Sequence, residues 1–305
     1  MNEIPFNEVI RCGVCGSDRL KLRWRANDRN WQKTTQRFML MECGSCGVVQ
    51  TAPRPYRDQL HNLYPDVYYP IGQRSDRYFR KYIEAPQIDK VEKIRRFKTS
   101  GRLLDVGCGA GYFMRAARES GFDVLGLEFS EAAKTAGGER WGLDIIAGEF
   151  LDHSFPENQF DVVTLWQVLE HLYDPSEVFK KIIKILRPEG LVVIAVPNIA
   201  SIQARLFRAR WYHLDVPRHL FHYSPRTLRR LMESHGFKIL AIDQWSREHN
   251  GAGILGSVMR LSPPGESLVR MAFRKIIAAR VTYLLSLIES SIGRGGTFTI
   301  FASKK

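Results

Sequence analysis

Three groups of residues in this chain have the types and spacing to do chemistry. The first is four cysteines in two pairs, Cys12-Gly-Val-Cys15-Gly16 and Cys43-Gly-Ser-Cys46-Gly47. Two thiolates on one tight turn bind a metal ion together, and the following glycine lets backbone N–H groups face the sulfurs. Two such knuckles supply four soft ligands in a closed tetrahedron, which suits structural zinc. A redox pair needs only one C-x-x-C, and disulfides are disfavoured where thiols are kept reduced. With no open coordination position, the metal is expected to fold its module and take no part in catalysis.

The second group is a glycine run, Asp105-Val-Gly107-Cys108-Gly109-Ala-Gly111, set between an apolar stretch at 102–106 and a helical apolar pattern. Another apolar stretch follows and ends at Glu128, 21 residues after Gly107. This reads as a β-α-β unit whose glycine turn lies at the carboxyl end of its first strand. Glycines there allow close approach of a ligand, and the helix N-terminus faces its anionic part. Glu128 is placed to accept hydrogen bonds from two ribose hydroxyls. The run lacks the G-x-G-x-x-G spacing, and a carboxylate at 105 repels a pyrophosphate but suits an ammonium group. Cys108 reads as a small loop residue.

The third group is histidines near strand ends. Glu170-His171 follows the apolar run 160–166, and His213, Asp215, Arg218, His219 and His222 crowd one loop. An oxygen or carbon nucleophile needs proton removal, so His219 reads as a general base and His171 as the second candidate. Ordering of the helix that starts near Ser224-Pro225 is the competing role for His219. His213 and His222 read as loop-ordering residues.

The elements that must position these groups follow from the pattern around them. Strand-like and helical segments alternate from residue 101 to 245, which gives a parallel sheet. FKILAIDQW at 237–245 reads as a sixth strand and TFTIFAS at 297–303 as a seventh. The expected fold is α/β, a doubly wound, mostly parallel seven-stranded sheet with a small N-terminal zinc ribbon. The expected division is a ribbon at 1–60, a helical lid at 61–100, a core at 101–245 completed by a strand at 296–305, and an inserted amphipathic segment at 246–295. Tyr68 and Tyr69 are lid candidates.

Of 305 residues, 45 are Lys or Arg and 32 are Asp or Glu, and the excess is uneven. Residues 1–100 carry 19 basic against 11 acidic, residues 101–245 carry 17 against 18, and residues 246–305 carry nine against three. Basic flanks around a neutral middle fit nucleic acid, an anionic surface or plain solubility. No transmembrane run and no signal-peptide core is read, so a cytoplasmic location is expected. The stretch 266–288 reads as a basic helix with a broad apolar arc. Packing or a homodimer face fits its imperfect amphipathicity better than peripheral contact with the inner membrane face.

LLDVGCGAGYF resembles motif I of the class I S-adenosylmethionine-dependent methyltransferases. Gly126-Leu-Glu128-Phe-Ser, Gly148-Glu149-Phe150, the run Phe160 to His171, Leu186-Arg-Pro-Glu-Gly190 and the stretch Leu191 to Asn198 continue the resemblance in order. It covers roughly residues 100–245 and resumes at the last strand. It implies S-adenosylmethionine as cofactor, with Gly107, Gly109 and Gly111 at the methionine end and Asp105 beneath. It places Glu128 on the ribose, Phe129, Glu149 and Phe150 around the adenine, and Trp166 and Gln167 along the methionine. The run Pro217-Arg-His-Leu-Phe-His-Tyr-Ser-Pro225 resembles the substrate-side loop of a bacterial group that includes the ubiquinone-biosynthesis type. In those O-methyltransferases a Glu-x-x-Glu-His run has been linked to a divalent metal. Here Gln167 stands first, which breaks the run, and Glu170 and His171 remain. The resemblance implies methylation of oxygen or carbon on a small-molecule, lipid-linked or sugar-linked acceptor. An RNA methyltransferase holding nucleic acid with its ribbon and basic lid is the alternative. Neither an Asn/Asp-Pro-Pro-Tyr motif nor a Pro-Cys pair follows the fourth strand, which argues against nucleic acid.

Overall fold

The structure, a computed structural model, describes residues 5–64, 77–258 and 268–305, and the side chains of all of these except 77–82 and 268–279. The two tyrosines expected in a lid, Tyr68 and Tyr69, lie outside the described residues. The chain forms two compact units, each built from separated stretches. One holds the four paired cysteines and comprises residues 1–65, 196–227 and 243–299; the other comprises 66–195, 228–242 and 300–305.

In chain order the first strands are β1 Phe6–Asn7, β2 Leu20–Asn27, β3 Arg37–Cys43, β4 Val49–Ala52 and β5 Arg54–Pro55. They are followed by α1 Arg77–Arg95, β6 Gly101–Val106, α2 Tyr112–Glu119, β7 Phe122–Glu128, α3 Glu131–Trp141 and β8 Ile145–Ala147. Next come β9 Phe160–Trp166, α4 Pro175–Ile185, β10 Leu186–Pro197 and α5 Ile202–Phe207. The last are β11 Phe221–His222, α6 Pro225–Ser234, β12 Phe237–Asp243, α7 Asn250–Val258, α8 Leu268–Ser291 and β13 Thr297–Lys304.

Seven strands make one sheet in the order β12-β13-β10-β9-β6-β7-β8. Strands β6 to β10 pair in parallel. Strands covered on both faces must be apolar throughout, and β10 is buried from Leu191 to Pro197 without a break. The chain leaves β6 toward β7 on one side and returns through β9 on the other. That reversal opens a crevice at the carboxyl ends of β6 and β9, where open α/β sheets bind ligands. One core cluster joins Val91 and Ile94 of α1 to Leu103, Val162, Val193 and Phe301, so α1 is anchored on the sheet by its second half.

Helix ends follow local chemistry. Ser130 caps α3, its hydroxyl accepting from Ala133 N at 3.2 Å, and Gly142 closes the helix in a left-handed turn. Pro175 opens α4, where its missing N–H costs nothing. That helix stops at Ile185, before the run Arg187-Pro-Glu-Gly190. It sits inside β10 as an irregularity that shifts the register between Leu186 and Leu191.

In the cysteine-bearing unit, β2 and β3 form a hairpin-like pair, β4 joins β3, and β11 adds the fourth strand, giving the order β11-β4-β3-β2. Ala26, Phe38, Leu40 and Val49 of this sheet share a core with Ile199, Ala204, Trp211, Leu214 and Val216. The ribbon is therefore one wall of a larger hydrophobic core.

Candidate functional site

At the end of β6 the chain must turn sharply without crowding its neighbours. Gly107 does this with φ of 70°, and a Cβ there would stand 2.5 Å from a methyl of Val168. Gly109 also has a left-handed φ of 54°, but a Cβ on it would meet nothing among the described residues within 4 Å. The turn is therefore tight at Gly107. Its backbone is tied to β7: Gly109 N–H donates to Glu128 Oε2 at 2.7 Å, and Ser130 N–H donates to Glu128 Oε1 at 2.9 Å. The carboxylate is thereby fixed beside the turn, where a group of its kind accepts hydrogen bonds from hydroxyls.

Asp105 lies beneath the turn, fully buried, and accepts the Thr164 hydroxyl at 2.6 Å. Burial pushes its carboxyl up to about 7, opposed by that hydrogen bond. Such a carboxyl is poised to ionise when a cation arrives. Cys108 is buried among the same acids, and burial raises its thiol well beyond the ordinary range, so it holds its proton as an inert loop residue.

Trp166 and Gln167 end β9. The Trp166 indole packs edge-on to Phe113 at 5.3 Å and lies under Lys90 Nζ at 5.2 Å. Its buried Nε1–H has no hydrogen-bond partner among the described residues. Gln167 is held at φ of 59°, its N–H donating to the Ala195 carbonyl at 2.9 Å. A bulky residue in that region is strained, and strain of this kind gathers at functional sites. Phe129, just past Glu128, is exposed, and Glu149, just past β8, is half-buried. Phe150 is turned into the core, stacked with Phe155 at 6.4 Å, and Lys181 Nζ lies 4.7 Å from its ring centroid. Buried Glu170 and half-buried His171 sit in a short 3-10 turn after β9.

The four cysteine sulfurs lie within 4.8 Å of one another. Cys12 and Cys46 stand 3.6 Å apart, as do Cys15 and Cys43. A Zn–S bond of about 2.3 Å requires about 3.8 Å between sulfurs of a regular tetrahedron. The two knuckles repeat one backbone pattern: Gly16 N–H closes on Cys12 O at 2.8 Å, and Gly47 N–H on Cys43 O at 2.9 Å. From the second knuckle the chain runs directly into β4, which pairs with β11 at Val49–His222 and Gln50–Phe221. Gln50 also accepts from Gly13 N–H at 2.9 Å, linking the first knuckle to the same strand.

The histidine loop is thereby a continuation of the cysteine sheet. His222 and His213 are buried and held near 3 by burial, so both rings are neutral. His213 Nε2 meets the His249 carbonyl at 3.0 Å and His222 Nε2 meets Thr51 Oγ1 at 3.1 Å. His219 is buried, with Nδ1 2.9 Å from the His213 carbonyl. A carbonyl only accepts, so Nδ1 carries a proton, and a neutral ring held this way has its basic nitrogen at Nε2.

Arg218, beside it, has no exposed surface. It donates to both oxygens of Asp28 (2.5 and 3.3 Å) and of Asp215 (2.9 and 3.1 Å) and to the Leu63 and Val216 carbonyls. The sequence crowds Asp215 and Arg218 into the histidine loop, and their role is to lock it. Asp28 was missed. Its local signal is an Asn-Asp-Arg-Asn turn, where the side chain accepts from Lys33 N–H at 2.8 Å. Nothing local in the chain pairs it with an arginine 190 residues later. Removing one partner of such a buried pair costs about 3–5 kcal/mol. Asp28→Ala is expected to lower the unfolding free energy by about that amount, read by urea denaturation. A change under about 0.5 kcal/mol, typical of a surface site, contradicts this account.

Residues 77–242, more than half of the chain, match the methyltransferase domain family. The chain is 29% identical over 147 residues to a probable S-adenosylmethionine-dependent methyltransferase of Mycolicibacterium smegmatis, covering 47% of this chain and 54% of that protein. It is 36% identical over 104 residues to the ubiquinone biosynthesis O-methyltransferase of Pseudomonas entomophila, covering 32% and 44%. The matched stretch thus spans about half the length of these curated relatives. Among solved structures, phosphoethanolamine N-methyltransferase 2 of Haemonchus contortus, in complex with S-adenosyl-L-methionine, has the same fold. Its TM-score is 0.54 at 18% identity, over 94% of this chain and 68% of that one. With the sheet order, the glycine turn and the matched residues in agreement, this chain belongs to the methyltransferase domain family.

Proposed function

We propose that the protein is an S-adenosylmethionine-dependent methyltransferase acting on an oxygen or carbon of a small-molecule, lipid-linked or sugar-linked acceptor. The observation that carries this reading is the tie between the glycine turn and Glu128, above a buried Asp105. The residues fit the cofactor. Among the described residues a side chain at Gly109 would meet nothing within 4 Å, Glu128 is already fixed beside the turn by two backbone N–H groups, and the buried Trp166 N–H has no hydrogen-bond partner. Gly107 and Gly111 shape the turn, Asp105 faces the ammonium end, and Gln167 lines the same strand ends. Phe129 and Glu149 serve the adenine side, with Phe150 packed behind them.

When bound, S-adenosylmethionine supplies a methyl carbon on a sulfonium, open to in-line displacement. The chain's own work is to align and to manage a proton. His219 Nε2 takes the proton of the acceptor hydroxyl or carbon acid, while Nδ1–H stays on the His213 carbonyl and steadies the ring. His171 is the second candidate for that task. The four cysteines would hold one zinc ion, whose role is to brace β4 and, through it, β11.

Calorimetry with S-adenosylmethionine tests the cofactor assignment. Binding is expected, weakened at least about tenfold by Glu128→Ala, because hydrogen bonds to a charged group contribute about 1.5–3 kcal/mol. Asp105 sits near 7 in the folded chain and near 4 unfolded. Its neutral form therefore supports the fold at low pH, and that support is lost as pH rises from about 4 to about 7. Ligand binding runs the other way. A cationic ligand favours the carboxylate, so affinity should climb with pH to about 7 and then level. No heat with the cofactor or its demethylated product ends the assignment.

His219→Gln should bind the cofactor as the wild type does. It should also lose most transfer of labelled methyl into the metabolites and lipids of a deletion-strain extract. General acid–base catalysis contributes roughly 100- to 10,000-fold, so full labelling by the variant excludes His219 as the base. Metal analysis should find one zinc per chain. Cys43→Ser should lower it at least about tenfold and speed amide exchange at 219–223, whereas exchange unchanged from wild type would uncouple metal from loop.

A further inference from the structure

From Arg280 onward, helix α8 presents its polar residues to the protein and its apolar residues outward. Thr282, Ser286 and Glu289 are buried. The Glu289 carboxylate accepts from the Gln203 amide and from Gly296 N–H at 3.0 Å. Ser290 Oγ accepts from Asn250 Nδ2 at 2.8 Å and reaches the Gln244 carbonyl at 2.9 Å. Asn250 in turn accepts from Thr297 through both its N–H, at 3.1 Å, and its hydroxyl, at 2.6 Å. This polar network fixes which side of the helix faces inward. On the opposite side Val281, Leu284, Leu285, Leu287, Ile288 and Ile292 are exposed, with Ile288 and Ile292 each at 60%. Val258, at the end of α7, is likewise exposed. Contiguous apolar surface of this kind marks an interaction site.

Charge decides between occupants. Residues 246–305 carry nine basic against three acidic residues, and the one acid within α8, Glu289, is the buried one. Arg280 and Arg294, near the two ends of the apolar stretch, are both exposed. A second copy meeting this face across a two-fold axis would set positive charge against positive charge. An anionic headgroup layer attracts those arginines, and its acyl boundary accepts the leucines and isoleucines. No helix among the described residues is long and apolar enough to cross a membrane, which leaves contact in the plane of the interface.

We propose that the outward face of α8 lies on an anionic lipid surface. The inference stands apart from the methyl-transfer reading, since it uses none of the residues assigned to the cofactor. Sedimentation of the full-length, zinc-loaded protein with vesicles tests it. Phosphatidylcholine vesicles containing phosphatidylglycerol should retain at least about tenfold more protein than phosphatidylcholine alone, and salt should release it. Leu284→Asp with Ile288→Asp should abolish retention, while circular dichroism and the heat of S-adenosylmethionine binding stay as in the wild type. Should that double variant misfold, Arg280→Glu, at an exposed position, should still weaken retention on the anionic vesicles. Equal retention on both vesicle types, or on neither, overturns the proposal. So does a concentration-dependent dimer that the double variant dissolves.

Discussion

A guanidinium cut off from water must have its charge and its N–H donors matched from within the protein, or the fold that buries it fails. Arg218 meets that demand with two carboxylates and two carbonyls. The partners come from three places: the end of β2 at Asp28, the turn before α1 at Leu63, and its own loop at Asp215 and Val216. Satisfying one side chain therefore fixes where three stretches of chain meet. His219, next in sequence, inherits a set position and a set tautomer. The neutral rings of His213 and His222 complete the loop, each by one hydrogen bond.

The crevice at the ends of β6 and β9 obeys a second constraint, the need to bring backbone donors and a carboxylate together without a side chain between them. Gly107 and Gly109 remove the side chains, and the parallel register of β6 and β7 places Glu128 opposite the turn. The carboxylate is held by two backbone N–H groups before any ligand arrives, so its geometry is already organised. Asp105 contributes differently. It is kept near neutrality by burial, and its charge answers to what occupies the space above it.

Much of this was legible in the chain itself. The glycine run, the strand ending in Glu128 and the two cysteine knuckles are local patterns with local causes, and each sits where its pattern implies. The seven strands followed from alternating apolar segments. What escaped notice is non-local. The pairing of β11 with β4 joins residues about 170 apart, and no periodicity in a two-residue strand announces it. The role of Arg218 depends on Asp28, equally remote. Helix α8 was readable as a helix but not in its orientation. Leucines at its surface and serines in its interior invert the usual expectation, and only the network around Asn250 and Glu289 resolves it. Arg187-Pro-Glu-Gly190 has the look of a helix stop, yet β10 absorbs it as an irregularity because Leu186 already pairs with Phe160.

Strand β13 lies between β12 and β10 although it is the last of the seven to be synthesised. On the ribosome, every other strand of the sheet emerges first and must wait with a gap one strand in from its edge. During that interval β10 and β12 each expose an unpaired edge, the kind of surface that chaperones hold and that nascent chains aggregate through. Stalling or premature termination anywhere before residue 297 would release a chain whose central sheet cannot close. Closure of this sheet therefore rests on Thr297–Lys304, far along the chain from the glycine turn after β6.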